Sequence, residues 1–220
     1  AATLGLRTLD GVRRPGLACL PEGEGGHFVL VDVGANIHPK PEHLLAYGIM
    51  GVEVARILLD VPEPRVGLLN VGEEAGKGNT LAKETHDLFG AAPVRFIGNV
   101  EGTGLFRGAA DVVVCEGFMG NVLLKTTEGL ANQLVDTFAR LVAEHAPESA
   151  DAVMRALRDW SDVATYGGAL LLGVDGAVII GHGATDGRGV CAILEQARQY
   201  VSGGVQKAIT EGVAAAAEGV

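Results

Sequence analysis

Residues 65–79, RVGLLNVGEEAGKGN, join an apolar run to a glycine-rich turn. The run at 66–71 has the length of a buried strand. Gly72, the carboxylates of Glu73 and Glu74, and then Gly76-Lys77-Gly78-Asn79 interrupt it, and a helical pattern follows over 80–89. A strand that runs through glycines into a helix start gathers unpaired N–H groups at one point, and the helix dipole favours an anion there. One lysine, Lys77, stands among the glycines. The spacing G-x-x-x-x-G-K-[ST] is absent, so this is not a Walker-type nucleotide loop. The turn alone fits two readings: an ordinary strand-to-helix connection with a solvated lysine, or a phosphate-sized anion site.

Three further stretches repeat the pattern. The apolar run at 28–33 ends in Asp32-Val33-Gly34-Ala35-Asn36, and that at 94–100 ends in Gly98-Asn99-Val100-Glu101-Gly102. The run at 111–115 ends in Glu116-Gly117-Phe118-Met119-Gly120-Asn121. Apolar runs joined by crossovers, each ending in glycine with Asn or an acid, predict an α/β fold. Its sheet is doubly wound and mostly parallel, with the strand ends lining one crevice.

The remaining elements fit around that sheet. Residues 1–10 read as the tail of a helix, 16–20 as a short strand, and a helix starts at Pro41 with Leu44, Leu45, Ile49, Val52 and Ile57 near helical spacing. The 80–89 helix is expected to stop at Gly90. A long helix from Asn121, striped by Leu130, Leu134, Phe138, Leu141 and Val142, ends at Pro147, and Val153, Leu157 and Trp160 stripe a shorter one. Together they predict a helical hairpin over 122–165, facing a dimer partner or a membrane. Residues 170–183 read as two β segments about Asp175-Gly176, followed by a helix at 189–202 and an Ala-rich tail from 205. The expectation is one α/β domain over 1–220. It opens mid-helix without a cap, so an N-terminal portion is expected to precede it.

Composition narrows the function. Apolar residues make up 48% and aromatic ones 5%, so the core is aliphatic. The 33 glycines, about twice the usual share of ~7%, follow apolar runs rather than a period. A net charge of −10 and a pI near 5.0 argue against nucleic acid as a partner and against electrostatic docking on an anionic membrane. Cys19, Cys115 and Cys191 are odd in number and widely spaced, which reads as reduced thiols in a cytoplasmic protein. No apolar run has membrane-spanning length.

The other candidates each have a plainer alternative. Asp32 and Asn36 either face a substrate or cap their own turn, and both readings stand. Gly120 and Asn121 open the long helix, whose N–H groups would also aim at the crevice. Lys125, one turn further in, reads as a solvated helix lysine. His182, between two glycines and ahead of Thr185 and Asp186, is placed for acid–base work or for bonding its own loop. His27, His38, His43, His86 and His145 share no ligand spacing, so no metal is assigned. No G-x-S-x-G elbow occurs, and Cys115 reads as core.

The runs VDVGANIHPKPEHLLAYGIMG, RVGLLNVGEEAGKGN, FIGNVEG, ADVVVCEGFMGNVLLKTTEG, YGGALLLG and IIGHGATD, in that order, closely resemble the bacterial phosphate acyltransferase family. The resemblance implies transfer of a fatty acyl group from acyl carrier protein to inorganic phosphate, giving acyl phosphate for phospholipid synthesis. It also implies a fold like that of phosphotransacetylases and isopropylmalate-type dehydrogenases, a homodimer, and for some members peripheral membrane contact through the hairpin. Inorganic phosphate is the co-substrate, and no cofactor is implied. The lysine of the family's K-G-N turn falls on Lys77. Around it, backbone N–H groups of Gly72, Gly76 and Gly78 would help hold phosphate, with Asn36, Asn70, Asn79, Asn99, Gly120, Asn121 and Asp186 as binding candidates and His182 as a proton donor to the leaving thiolate. The chain departs from the family at Glu73, where Thr is usual, at Met119, and at 182–186, where H-G-S-S-D becomes H-G-A-T-D. The family's N-terminal part, with its D-A-M-G-G and S-A-G-N-T-G turns, has no counterpart here. Two alternatives also fit the sequence: a short-chain transferase using acyl-CoA, and a carrier-protein-binding fragment without turnover.

Overall fold

The computed structural model describes residues 5–161, 167–183 and 185–218, with side chains outside that description at 158–161 and 218. Seven strands form one sheet: β1 Gly16–Cys19, β4 Val29–Val31, β5 Arg65–Leu69, β6 Arg95–Val100, β7 Val112–Val114, β8 Ala169–Leu172 and β9 Ile179–Ile180. Their order is β6-β5-β7-β4-β1-β8-β9. Short strands β2 Glu22–Gly23 and β3 Gly26–His27 make a separate ribbon. The pairings β6/β5, β5/β7 and β7/β4 are parallel, whereas β4/β1, β1/β8 and β8/β9 are antiparallel. Two successive reversals return β8 to the direction of the four parallel strands, so five strands share one direction and β1 and β9 oppose them.

The expected α/β class, mostly parallel, is what the chain adopts, and valine explains its centre. β4 is VLV and β7 is VVV, every residue buried, as a strand covered on both faces requires. The period of two divides them between two cores. Val29, Val31, Val66, Leu68, Val112 and Val114 face one core, completed by α1 (Pro41–Leu58), α2 (Thr80–Ala91), α5 (Gly187–Ser202) and α6 (Val205–Glu218). Phe28, Leu30, Val113 and Cys115 face the other, covered by the 3-10 turn Gly102–Arg107 and the start of α3 (Gly117–His145).

Several boundaries differ from expectation. α2 passes through Gly90 to Ala91, and Ala92 turns extended ahead of Pro93, whose ring disfavours helix in the preceding residue. α3 begins at Gly117 rather than Asn121, because the Glu116 carboxylate accepts the N–H groups of Phe118 and Met119 and so caps the helix earlier. α3 continues through the 3-10 turn Pro147–Ser149 into α4 (Ala150–Ser161), and α3 and α4 pack on one another. Only the first turns of α3, with Met119, Leu123 and Leu124, reach the sheet. Leu130, Leu134, Phe138 and Leu141 remain exposed along the rest. The expected end of the hairpin at 162–165 lies outside the described residues, as does the start of the expected helix tail at 1–4.

One ion pair locks the end of the sheet away from the glycine turns. The Asp111 carboxylate accepts from Arg65 three times, from its backbone N–H at 2.8 Å, Nε at 3.0 Å and Nη2 at 2.9 Å. Asp111 N–H donates back to the Arg65 carbonyl. Burial pushes the Asp111 carboxyl up, but the hydrogen bonds and charge of Arg65 outweigh it and hold the group below the usual aspartate range. Because the folded value is depressed, this stabilisation is present above the unfolded value and is lost as pH falls through the folded one. Asp111→Asn should lower unfolding free energy near pH 7 by about 1–3 kcal/mol, towards the low end because Arg65 is partly solvated. The variant should also lose less stability than the parent on acidification below about pH 4. Urea denaturation at both pH values checks this.

Candidate active site

Strand direction brings the glycine turns to one end of the sheet. From edge to centre, the carboxyl ends of β6, β5, β7 and β4 stand side by side there, carrying in turn residues 99–102, 70–79, 116–121 and 32–36.

The 70–79 loop is held from beneath by two buried asparagines. Asn70 Nδ2 donates to the Lys77 carbonyl at 3.1 Å, and Asn70 Oδ1 accepts the Val71 N–H at 2.8 Å. Asn99, reaching across from β6, donates Nδ2 to the Glu74 carbonyl at 2.8 Å, and the same carbonyl accepts the Lys77 N–H. Gly78 sits at φ +86° with Asn70 tight against it, where a Cβ would meet Oδ1 at 2.5 Å. Asn79 is the N-cap of α2 and accepts the Ala82 N–H at 2.9 Å. The N–H groups of Gly72, Gly76, Gly78, Thr80 and Leu81 have no acceptor among the described residues. Lys77 lies over Gly72 with its side chain half exposed, and its Nζ is 3.9 Å from the exposed Glu74 carboxylate. An exposed pair at that distance is worth little, so Glu74 does not immobilise the ammonium. Glu73 is exposed as well.

The neighbouring pair of turns is built differently. The Asp32 carboxylate, fully buried, accepts N–H groups from Leu17, Gly34, Ala35 and Asn36. Asn36 Nδ2 donates to the Pro15 carbonyl and to the Tyr47 hydroxyl, both at 2.7 Å. Its carbonyl accepts the Gly117 N–H. The α3 N-terminus is thereby consumed: Gly117 donates to Asn36, Phe118 and Met119 to the Glu116 carboxylate, and Gly120 to the Glu116 carbonyl. The expectation that these amides aim at a ligand is corrected by their own cap. Asn36 likewise spends its amide nitrogen on the scaffold. Gly120 lets α3 approach, since a Cβ there would collide with the Asp32 carbonyl oxygen and come within 2.9 Å of Cys115 Sγ. Asn121 is exposed beside Gly34. Lys125 pairs with Glu128 at 2.8 Å on the helix surface, as a solvated lysine would.

His182 and Asp186 do not join this group. β9 runs against β5, so the residues after it leave at the opposite end of the sheet, and β9 is the far edge strand. Five strand spacings separate β9 from β5, roughly 24 Å. A shared site of Lys77 and His182 within one chain is therefore corrected by topology. Asp186 caps α5, accepting the Gly189 N–H at 3.0 Å, and that bond together with Arg188 holds its carboxyl below the usual range. Ala184, within the same motif, lies outside the described residues.

Cys19 and Cys115 are not placed as nucleophiles. Burial pushes Cys19 up to about 12, with Glu128 adding to it, and burial raises Cys115 well above the ordinary thiol. Among the described residues no cluster of His, Cys, Asp and Glu could hold a metal, and no helix is long and apolar enough to cross a membrane.

The family model described as "Fatty acid synthesis protein" matches residues 1–208. The chain belongs to that family. Among relatives of this family member is "Phosphate acyltransferase" of Desulforudis audaxviator (strain MP104C), 43% identical over 218 residues, covering 97% of this chain and 65% of the relative. The protein of the same name from Helicobacter pylori (strain J99 / ATCC 700824) is 44% identical over 216 residues, covering 96% and 63%. The chain thus spans about two thirds of the length of these relatives. A phosphotransacetylase from Streptococcus pyogenes matches in structure at a TM-score of 0.46 with 18% identity, covering 59% of this chain and 45% of that one.

What the linear pattern missed in this family member is the scaffolding role of Asn70 and Asn99. Asparagines at strand ends look alike whether they face a ligand or bond the next loop. Gly120→Ala should destabilise the fold by about 3 kcal/mol, as overpacking against backbone does, whereas Gly76→Ala, which has open space for a Cβ, should cost well under 1 kcal/mol. Denaturation midpoints of both variants test the contrast.

Proposed function

We propose that the protein transfers an acyl group from a thioester to inorganic phosphate, with acyl carrier protein as the acyl donor and acyl phosphate as the product. The observation that carries this reading is the 70–79 loop. There an exposed lysine stands beside unpaired N–H groups at the start of α2, on a platform held rigid by two buried asparagines. The relatives named "Phosphate acyltransferase" support phosphate as the acyl acceptor.

Phosphate is itself a competent nucleophile, so the protein's task is positioning and charge stabilisation. One phosphate oxygen attacks the thioester carbonyl carbon, and the carbonyl π pair moves onto oxygen. Lys77 and the free amides of the loop bind phosphate and stabilise that oxyanion. Collapse breaks the C–S bond and expels the thiolate, which takes up the proton carried by phosphate. The products are acyl phosphate and the free thiol. Phosphate entry displaces the Glu74 carboxylate from Lys77, and the weakness of that pair makes the exchange cheap. A thiol nucleophile has no part in this scheme, in keeping with the raised Cys19 and Cys115.

The reading extends to a cytoplasmic protein working as a homodimer. The exposed stripe of α3 is the face offered to a second copy or to a membrane surface.

Lys77→Ala should lower kcat for acyl phosphate formation by about 10²–10³-fold, the range seen when one oxyanion donor is removed. Its unfolding midpoint should not change, because the side chain is solvated. The assay traps acyl phosphate with hydroxylamine after incubation with acyl carrier protein thioester and phosphate. A Lys77→Ala protein that turns over at the parent rate would remove this mechanism.

A further inference from the structure

A cavity of about 290 Å³ opens between the 11–14 turn and the first turns of α1, lined by Gly11, Arg13, Arg14, Glu42, His43 and Ala46. Its position follows from the topology. β1 starts, and α1 starts, at the end of the sheet where the glycine turns lie, because β1 runs against β4 and α1 leaves the carboxyl end of β4. The cavity therefore flanks the Lys77 loop along one sheet end, two to three strands away, roughly 10–15 Å.

Its walls are fixed. Gly11, at φ +80°, packs against Val213 of α6, and Val12 is buried, so the turn that carries Arg13 and Arg14 rests on the core. The next residue, Pro15, gives its carbonyl to Asn36 Nδ2, and Asn36 also holds the Tyr47 hydroxyl. On the other wall His43 is buried, with Nδ1 accepting the Lys40 N–H at 3.0 Å. That bond assigns the ring proton of the neutral imidazole to Nε2. No acceptor for Nε2 occurs among the described residues.

The charge is one-sided. In a chain of net charge −10, Arg13, Arg14 and Lys40 gather about His43, and the one acid present, Glu42, is engaged by Arg13 at 3.6 Å. Burial lowers the His43 pKa, and the charges of Arg14, Lys40 and Arg13 lower it further against the opposing pull of Glu42. Two cations, Arg13 and Arg14, and the ring of His43 line one concavity, with the Arg13-paired Glu42 beside them. Its volume corresponds to about ten water molecules, more than a bare phosphate fills.

We infer that this cavity is a second anion site, formed by Arg13, Arg14 and His43 for the phosphate group of a phosphate ester with a small organic body. Such a group comes from two sources, a free monoester or a diester link in a carrier's prosthetic arm. The site stands on its own residues and does not depend on the reaction at Lys77.

The test follows the His43 ring by NMR in the purified protein, titrated with methyl phosphate and, separately, dimethyl phosphate at millimolar concentration. Binding should shift the His43 resonances and raise its pKa, since an anion offsets the surrounding cations. With dimethyl phosphate, whose charge is constant, affinity should rise as pH falls from about 8 to about 5, because the ring, still donating from Nε2, becomes cationic. The tighter probe identifies the source. Arg14→Gln should weaken binding about tenfold, the loss of one charge-assisted hydrogen bond, and this exposed substitution should leave the unfolding midpoint in place. Lys77→Ala should leave the His43 response intact, which separates this site from the one at the 70–79 loop. No His43 response to either ester, or equal affinity in Arg14→Gln and the parent, overturns the assignment.

Discussion

The buried carboxylate of Asp32 is the constraint on which the working end of this molecule depends. It has no exposed surface and is surrounded by N–H donors rather than by a cation. A carboxylate out of water must have its lone pairs satisfied, or its burial costs several kcal/mol. Here four backbone amides meet it, one from β1 and three from the turn after β4. Each can do so only if that turn wraps tightly around the side chain. The wrapped turn then presents the Asn36 carbonyl to Gly117 and the Asn36 amide to Pro15 and Tyr47. One ionisable group thus joins the antiparallel half of the sheet, the parallel half and two helices.

The row of turns divides by how its amides are spent. At 32–36 and 116–121 the chain consumes its own N–H groups, through Asp32 and through Glu116. At 72–81 it leaves several without acceptors among the described residues and places Lys77 over Gly72. The first arrangement is rigid scaffold and the second is receptive surface. An anion gains from unpaired donors and not from donors already capped.

Rigidity at this end comes from small residues as much as from hydrogen bonds. Gly78, Gly117 and Gly120 each let a side chain or backbone segment approach closer than any Cβ permits. Their cost in chain entropy is offset by the bonds that the close approach makes possible. Among the described residues the α3–α4 hairpin has no such anchoring beyond the first turns of α3, and the apolar stripe of α3 remains on the surface.

The α/β class was legible in the sequence because parallel strands covered on both faces are continuous aliphatic runs, and VLV and VVV can be little else. The Lys77 loop was legible too, since a strand, glycines and a helix start in immediate succession form a local arrangement. Whether an asparagine at a strand end faces a ligand or fastens a neighbouring loop was decided only by the register of β5 against β6, which brings Asn99 beneath Glu74. The separation of His182 from Lys77 and the meeting of Arg14 with His43 were likewise set by strand order and direction. Those depend on pairings between residues far apart in the chain, where linear spacing carries no distance information.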